Sequence, residues 1–424
     1  MYHIYKLLLQ QFISVGTLNI QLSSGEFIKA AGQQSGLETT IGLKNRHSFK
    51  RFIHNPELAI GELYMTGDLW IIQGTLEDFI KLLHDNQQQW EQHLLGRYTR
   101  YIHKLLYVFK PVNTLGKSKR NVAHHYDLDD RLYDTFLDPW RQYSCAYFAS
   151  PQMDLESAQE LKLARLGAKL HLKPNLSVLD IGCGWGGLAY ALRLFEPSMR
   201  VKGITLSEAQ HGYANAQRPL WGDKDIHSPE FSIEDYRRLD TQFDRIVSVG
   251  MFEHVGLENY SVFFQKLASC LKPDGAAVIH TIARFGAPHP TNPWIEKYIF
   301  PGGYLPNIGQ IHTAIHKAGL FITDIEIMRL HYADTLKIWR NRFLEQKDRF
   351  TEIYDEQFVR MWEFYLLGSE YYFRSGAGMV LQIQLAHQQD AVPLTRSYIS
   401  KTTKEYVKRL CQVRNSGKQN HYPT

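Results

Sequence analysis

From about residue 155 onward, the hydrophobic pattern switches repeatedly between helical spacing and short continuous apolar runs. Apolar positions three and four apart predict a helix over Leu155 to His171, and Ser177 to Ile181 reads as a buried strand. A helix over Leu188 to Leu194 follows, then strands over Arg200 to Thr205 and Phe243 to Val249. Gly256 to Leu271 reads as a helix and Gly275 to Ile282 as a further strand. Alternation of this kind predicts an α/β fold, a doubly wound and mainly parallel sheet with helices on both faces. Phe321 to Leu330 and Met379 to Ala386 are late strand candidates for its far edge.

The first hundred residues are mixed in pattern. Tyr5, Leu7, Leu8 and Leu9 predict an amphipathic helix; Gln10 and Gln11 interrupt the apolar run and no small-residue cleavage site follows, so it does not read as a signal peptide. Ser48 to Ile53 and Leu76 to Leu83 have helical spacing, whereas Leu58 to Leu69, punctuated by Gly61 and Gly67, reads as turns between short elements. These features predict a smaller α+β domain over residues 1–105. Residues 106–123, with Pro111, Gly116, Lys110, Lys117, Lys119 and Arg120, read as an exposed basic linker; 124–414 read as the catalytic domain and 415–424 as a disordered tail. At the start of the larger domain, Tyr126, Tyr133, Phe136, Trp140, Tyr143, Tyr147 and Phe148 suit either the roof of an apolar pocket or packed core.

Length and charge narrow the classes. A chain of 424 residues exceeds one compact core. A net charge of +5 is too modest for a nucleic-acid binder with a concentrated basic face, yet it suits contact with an anionic membrane surface. No run of about eighteen uncharged apolar residues exists, so any membrane contact is expected to be peripheral. Cys145, Cys183, Cys270 and Cys411 lie far apart without a C-x-x-C pair, which points to a reducing cytoplasm and to neither a zinc site nor a disulfide framework. His254 stands beside Glu253, but no H-E-x-x-H spacing accompanies them, and no metal is expected.

Gly182, Gly184 and Gly187 satisfy G-x-G-x-x-G after the first strand, a pattern that fits a dinucleotide pyrophosphate as well as S-adenosylmethionine. Asp180, two residues before the first glycine, would repel a pyrophosphate and suits the ammonium of an amino-acid moiety. After the second strand the ribose position of a dinucleotide site lacks an acidic residue; Thr205, Ser207 and Gln210 offer neutral polar groups to a nucleoside, while Lys202 leaves NADP as a rival. Ile233, Glu234, Asp235 and Tyr236, ahead of the strand at Phe243, are placed to bracket an adenine.

Further motifs extend the pattern: Tyr143-Ser144-Cys145-Ala146-Tyr147-Phe148, Gly203-Ile204-Thr205-Leu206-Ser207, Met251-Phe252-Glu253-His254-Val255-Gly256, His280-Thr281-Ile282, Phe300-Pro301-Gly302-Gly303-Tyr304 and His331-Tyr332. Together with the glycine loop they resemble the cyclopropane-fatty-acyl-phospholipid synthases over most of residues 120–385. Gly61-Glu62-Leu63-Tyr64-Met65 resembles, more loosely, the small lipid-binding domain of the family's long members. The resemblance implies a methylene bridge placed from S-adenosylmethionine across the cis double bond of an unsaturated acyl chain in a membrane phospholipid, on the cytoplasmic face of the membrane. It implies a bicarbonate ion as base, with ligands at Cys145, Glu253, His280, the backbone of Ile282, and Tyr332. The implied cofactor set is Tyr143, Asp180, Gly182, Gly184, Thr205, Leu206, Gln210, Ile233 and Glu234. A homodimer is allowed by the family, and nucleic acid is not an expected partner. Rival readings are an enzyme leaving a methyl or methylene branch on the lipid, a methyltransferase of a soluble amine, and a non-catalytic lipid binder.

Overall fold

The computed structural model describes residues 2–87, 130–217 and 228–415. The basic linker, Tyr126 and the tail beyond 415 lie outside the described residues. The chain divides into two compact units, Met1–Pro111 with His289–Pro301 and Trp339–Gly376, and Val112–Pro288 with Gly302–Ile338 and Ala377–Thr424.

In the first unit, strands β1 (Val15–Leu22), β2 (Phe27–Ala31), β3 (Gln34–Leu43) and β4 (Leu69–Gln73) form one sheet in the order β2-β1-β3-β4. β1 and β3 run parallel, and the two edge strands are antiparallel to their neighbours. Leu18, Ile20 and Leu22, alternate residues of β1, bury one face against Phe49, Phe52, Leu63 and Phe79 of three helices. Each of those helices has a local cause. Asn45 accepts from the Ser48 amide ahead of Arg46–His54, Pro56 opens Pro56–Met65, and Thr75 with Asp78 forms a capping box on Leu76–Asp85.

The expectation of turns over Leu58 to Leu69 is corrected here, because Pro56–Met65 is a helix. Gly61 lies inside it as a packing site, where an added Cβ would stand 2.5 Å from the Trp294 indole nitrogen. Gly67, at φ +74, then turns the chain into β4. The helix Glu356–Arg374 adds Leu367 and Tyr371 to the same core.

The second unit holds a seven-stranded sheet of β5 (Ser177–Ile181), β6 (Arg200–Thr205), β7 (Glu230–Ile233), β8 (Phe243–Val249), β9 (Leu271–Arg284), β10 (Phe321–Ile327) and β11 (Gly378–Ala386). Its order is β10-β11-β9-β8-β5-β6-β7; β11 is antiparallel to both neighbours, and the remaining pairs are parallel. This is the expected doubly wound α/β fold, with the two late strands at the far edge. β7 escapes the hydrophobic pattern because it is four residues long, with Phe231 its one buried side chain. The helix expected from Gly256 begins as a 3-10 turn, Leu257–Asn259, and becomes α-helical at Tyr260–Cys270, so β9 starts earlier than its apolar run. Between β5 and β8 the winding reverses direction, and the crevice beyond the carboxyl ends of those strands is where such sheets take ligands.

Candidate active site

β5 delivers Asp180 to that crevice and then breaks into the glycine loop. The Gly182 and Cys183 amides both donate to the Ile204 carbonyl at the end of β6, at 2.9 and 3.0 Å, so the loop crosses over the neighbouring strand. The helix Gly187–Phe195 follows directly. A Cβ on Gly187 would stand 2.0 Å from the Trp140 carbonyl oxygen, so the helix start and the segment around Trp140 are in backbone contact. Gly187→Ala is therefore expected to displace residues 140–144, with a fall in melting temperature and weaker S-adenosylmethionine binding, read together by thermal shift with and without cofactor. Unchanged values for both would mean the segment yields freely.

The crevice is a cavity of about 1100 Å³ including its open mouth, lined by Tyr143, Asp180, Gly182, Gly184, Thr205, Leu206, Gln210 and Glu234 among others. Of the expected cofactor set, Ile233 alone is not in the wall; it is 44% exposed. Arg141, Gln142 and Arg237 line the cavity without having been singled out, and Ser144, Trp185 and His254, which the motifs contain, line it without having been given a cofactor role. Arg141 sits at φ +46 with its guanidinium 3.7 Å from the centre of the Tyr213 ring, a placement no periodicity encodes.

Charges in the wall are mostly paired. Lys202 donates to Glu234 at 2.7 Å, and Arg237 grips Asp235 through Nε and Nη2 at 2.9 and 2.7 Å. Lys202, which kept the NADP reading alive, is thus engaged by a carboxylate and offers a phosphate little. Asp180 differs from its neighbours, being fully buried with Oδ2 lacking any partner. Burial pushes its carboxyl up to about 7, and the Lys162 ammonium opposes that rise. A buried carboxylate with an unfilled acceptor fits the ammonium of an amino-acid tail, and the Thr205 hydroxyl with Gln210, hydrogen-bonded at 2.9 Å, fits a nucleoside. The donor and acceptor set suits S-adenosylmethionine.

Cys145, Glu253, His280, Ile282 and Tyr332 are not among the residues of this wall; Cys145 follows Ser144, Glu253 precedes His254, and the His280 carbonyl accepts from Gly250, and Ser144, His254 and Gly250 are wall residues. Glu253 sits in the turn Phe252–His254 after β8. Its Oε1 accepts the Ile282 amide of β9 at 2.6 Å, its carbonyl accepts the Tyr304 amide at 3.0 Å, and its buried Oε2 has no partner. Burial pushes Glu253 up to about 7. The carbonyl of His280 accepts from Gly250 at 2.9 Å, and its Nδ1 lies 3.2 Å from the Gln382 amide nitrogen on β11. Burial holds the imidazole well below its ordinary range, so it is neutral, and one of its ring nitrogens is engaged by the Gln382 side-chain amide. Burial likewise keeps Cys145 a thiol.

The segment bearing Cys145 is tied to the start of the helix His331–Glu345, which carries Tyr332. Ala146 donates to the Thr335 hydroxyl at 3.0 Å and Phe148 to His331 Nδ1 at 3.1 Å. The structure thus bonds Glu253 to Ile282, two residues beyond His280 on β9, and ties the segment that carries Cys145 to the helix start that carries Tyr332. The aromatic stretch serves both roles foreseen for it: Tyr143 lines the cavity, while the buried Tyr133 backs it, 5.5 Å from Tyr143 and 4.8 Å from Trp185.

One residue was invisible in the pattern. Lys162, in the middle of the helix Leu155–Lys169, is wholly buried and donates to Gln142 Oε1 at 2.6 Å and to the Ser144 hydroxyl at 2.9 Å.

Comparison with known proteins agrees with this geometry. Residues 114–383, more than half of the chain, match the family model of mycolic acid cyclopropane synthetases, and residues 4–93 match a domain family of unknown function. A cyclopropane-fatty-acyl-phospholipid synthase of Escherichia coli strain K12 is 38% identical over 328 residues, covering 77% of this chain and 82% of that one. Among solved structures, the cyclopropane synthase MmaA2 from Mycobacterium tuberculosis superposes with a TM-score of 0.60 at 32% identity, covering 63% of this chain and 98% of its own. The mycolic acid cyclopropane synthase CmaA1, solved with S-adenosylhomocysteine and CTAB, gives a TM-score of 0.59 at 32% identity, covering 63% and 97%. With its seven-stranded sheet, glycine loop and buried Asp180, the chain belongs to the mycolic acid cyclopropane synthetase family of S-adenosylmethionine-dependent methyltransferases.

Proposed function

We propose that this enzyme transfers a methylene group from S-adenosylmethionine to the cis double bond of an unsaturated acyl chain in a membrane phospholipid and closes a cyclopropane ring. The observation that carries the reading is Glu253, a buried carboxyl near neutrality with one oxygen unfilled, beside a cofactor cavity and a neutral His280. An alkene is a weak nucleophile, so the first need is a dry, fixed arrangement of donor and double bond. Asp180 anchors the cofactor tail, Tyr143 and Trp185 close the wall, and the backbone contact at Gly187 holds the two together.

Addition to the alkene leaves a carbocation on the acyl chain, and ring closure needs a proton removed from the added methyl group. Bicarbonate, when bound, would supply a base that is small and hard to alkylate irreversibly. The residues present fit it. The His280 imidazole is neutral with one ring N–H to offer, the Tyr332 hydroxyl can donate, the neutral Cys145 thiol, which donates to the Ala146 carbonyl at 3.3 Å, adds a weak donor, and Glu253, when protonated, can donate as well. In this reading the Ile282 amide acts by fixing Glu253 Oε1.

The lipid would be met peripherally, at an anionic membrane surface on the cytoplasmic side; among the described residues no helix is long and apolar enough to cross a membrane. The test is incubation of the full chain with labelled S-adenosylmethionine and unsaturated phospholipid vesicles. Gain of one CH2 with loss of the olefinic protons is expected. Retention of olefinic protons would assign a branched product, and turnover of a dissolved amine without vesicle binding would remove the lipid substrate altogether. Activity on anionic vesicles is expected to fall as salt rises, since the Debye length shrinks to about 3 Å at 1 M; a salt-independent rate would exclude electrostatic docking.

A further inference from the structure

We propose that Lys162 is the positioning residue of the cofactor site: its ammonium ties Gln142 and Ser144 into the cavity wall and balances the Asp138 and Asp180 carboxyls, so that Asp180 can receive the cofactor's ammonium. The proposal rests on the cavity being the S-adenosylmethionine site, as read above. An ammonium with no solvent contact needs partners close at hand, and Lys162 has them on two sides. Gln142 Oε1 and Ser144 Oγ accept at 2.6 and 2.9 Å, and both residues line the cavity. Gln159, one turn earlier on the same helix, donates to the Gln142 and Ser144 carbonyls at 3.2 and 3.0 Å, so two side chains of one helix face grip one segment. Asp138 fixes the near end of that segment by accepting the Trp140 and Gln142 amides at 2.9 and 3.0 Å.

The ionisable groups whose charge acts with that of Lys162 come from three further parts of the fold: Asp138 and Cys145 from the segment on either side of Gln142, Asp180 from β5, and His280 from β9. Among the described residues Lys162 is the charge that favours the ionised form of Asp180. Two carboxylates against one ammonium leave the site negative, which a cationic donor requires; with Lys162 uncharged, the two buried acids would take up protons instead.

The expected result is read on the full chain by calorimetric titration with S-adenosylhomocysteine, without lipid, between pH 5 and 8. In the unmodified protein affinity rises with pH as Asp180 ionises. Lys162→Met should bind at least about tenfold more weakly near pH 7, with the midpoint of that rise displaced upward by about one pH unit or more, one unit corresponding to a tenfold change. Lys162→Gln keeps a donor for Gln142 or Ser144 and loses the charge, so it should keep a folded wall and still show the displaced midpoint. It carries the same measurement if the Met variant does not accumulate. Unchanged affinity and midpoint in a folded variant overturn the proposal. A fall in affinity with an undisplaced midpoint reduces Lys162 to a structural tie and overturns its electrostatic part. Absence of binding to the unmodified chain would remove the cofactor site and this role with it.

Discussion

Glu253→Gln is expected to bind S-adenosylmethionine about as well as the unmodified protein while ring formation falls by about 10²–10⁴-fold, the range by which a positioned proton-transfer group accelerates a reaction. The amide keeps an oxygen for the Ile282 N–H, which Glu253 Oε1 accepts at 2.6 Å, and the backbone carbonyl still receives the Tyr304 amide. The turn after β8 should therefore stand. What is lost is the ability of the second oxygen to take up or release a proton, at a group that burial has moved to about 7. The same shift has a stability consequence. A carboxyl whose folded pKa is raised above its ordinary 4.5 contributes stability that is present below that value and lost as pH rises through about 7. The Gln variant lacks this loss, so urea unfolding at pH 5 and pH 8 should show less of a decline for it than for the unmodified chain. Full ring-forming activity in Glu253→Gln would take the residue out of the reaction.

How much of this was legible in the sequence depends on what each element asks of its residues. β5, β6 and β8 are short strands of a parallel sheet whose buried positions include the apolar Val178, Leu179, Ile181, Val201, Ile204, Ile246 and Val247, and each strand matches its expected range. Pro56–Met65 was not legible because Gly61 reads as a break unless Trp294, far along the chain, is known to fill the space of its missing side chain. Nor was it legible that Leu367 and Tyr371, on the helix Glu356–Arg374, pack into the core of the first unit, since the rest of that core is built from residues far earlier in the chain. In the site, the glycine loop and Asp180 are local in sequence and could be read there. Lys162 could not: on an amphipathic helix a lysine is ordinarily solvated, and only the fold shows that Gln142 and Ser144 come down to meet it. Gln382 is hidden in the same way, its contact with His280 depending on the antiparallel register of β11 against β9.

Asp180→Asn is expected to weaken S-adenosylmethionine binding by about 10- to 100-fold, the loss of one charge-assisted hydrogen bond of about 1.5–3 kcal/mol. The asparagine occupies the same volume at the end of β5 and keeps a carbonyl, so the glycine loop, held by the Gly182 and Cys183 amides on Ile204, has no cause to move. In the unmodified protein, affinity should climb with pH until Asp180 is ionised near 7, whereas the Asn variant should bind weakly and evenly across that interval. The ligand-free proteins should diverge in the opposite sense. Asp180 has a folded pKa raised by burial, so its contribution to stability is lost as pH rises through about 7, and the neutral amide escapes that loss. A variant that is no less stable at pH 8 and yet binds cofactor poorly would show that the buried carboxylate is kept at a cost to the fold for the sake of the ligand. Loss of stability together with loss of binding would instead place Asp180, and the Lys162 ammonium that acts on it, in the scaffold.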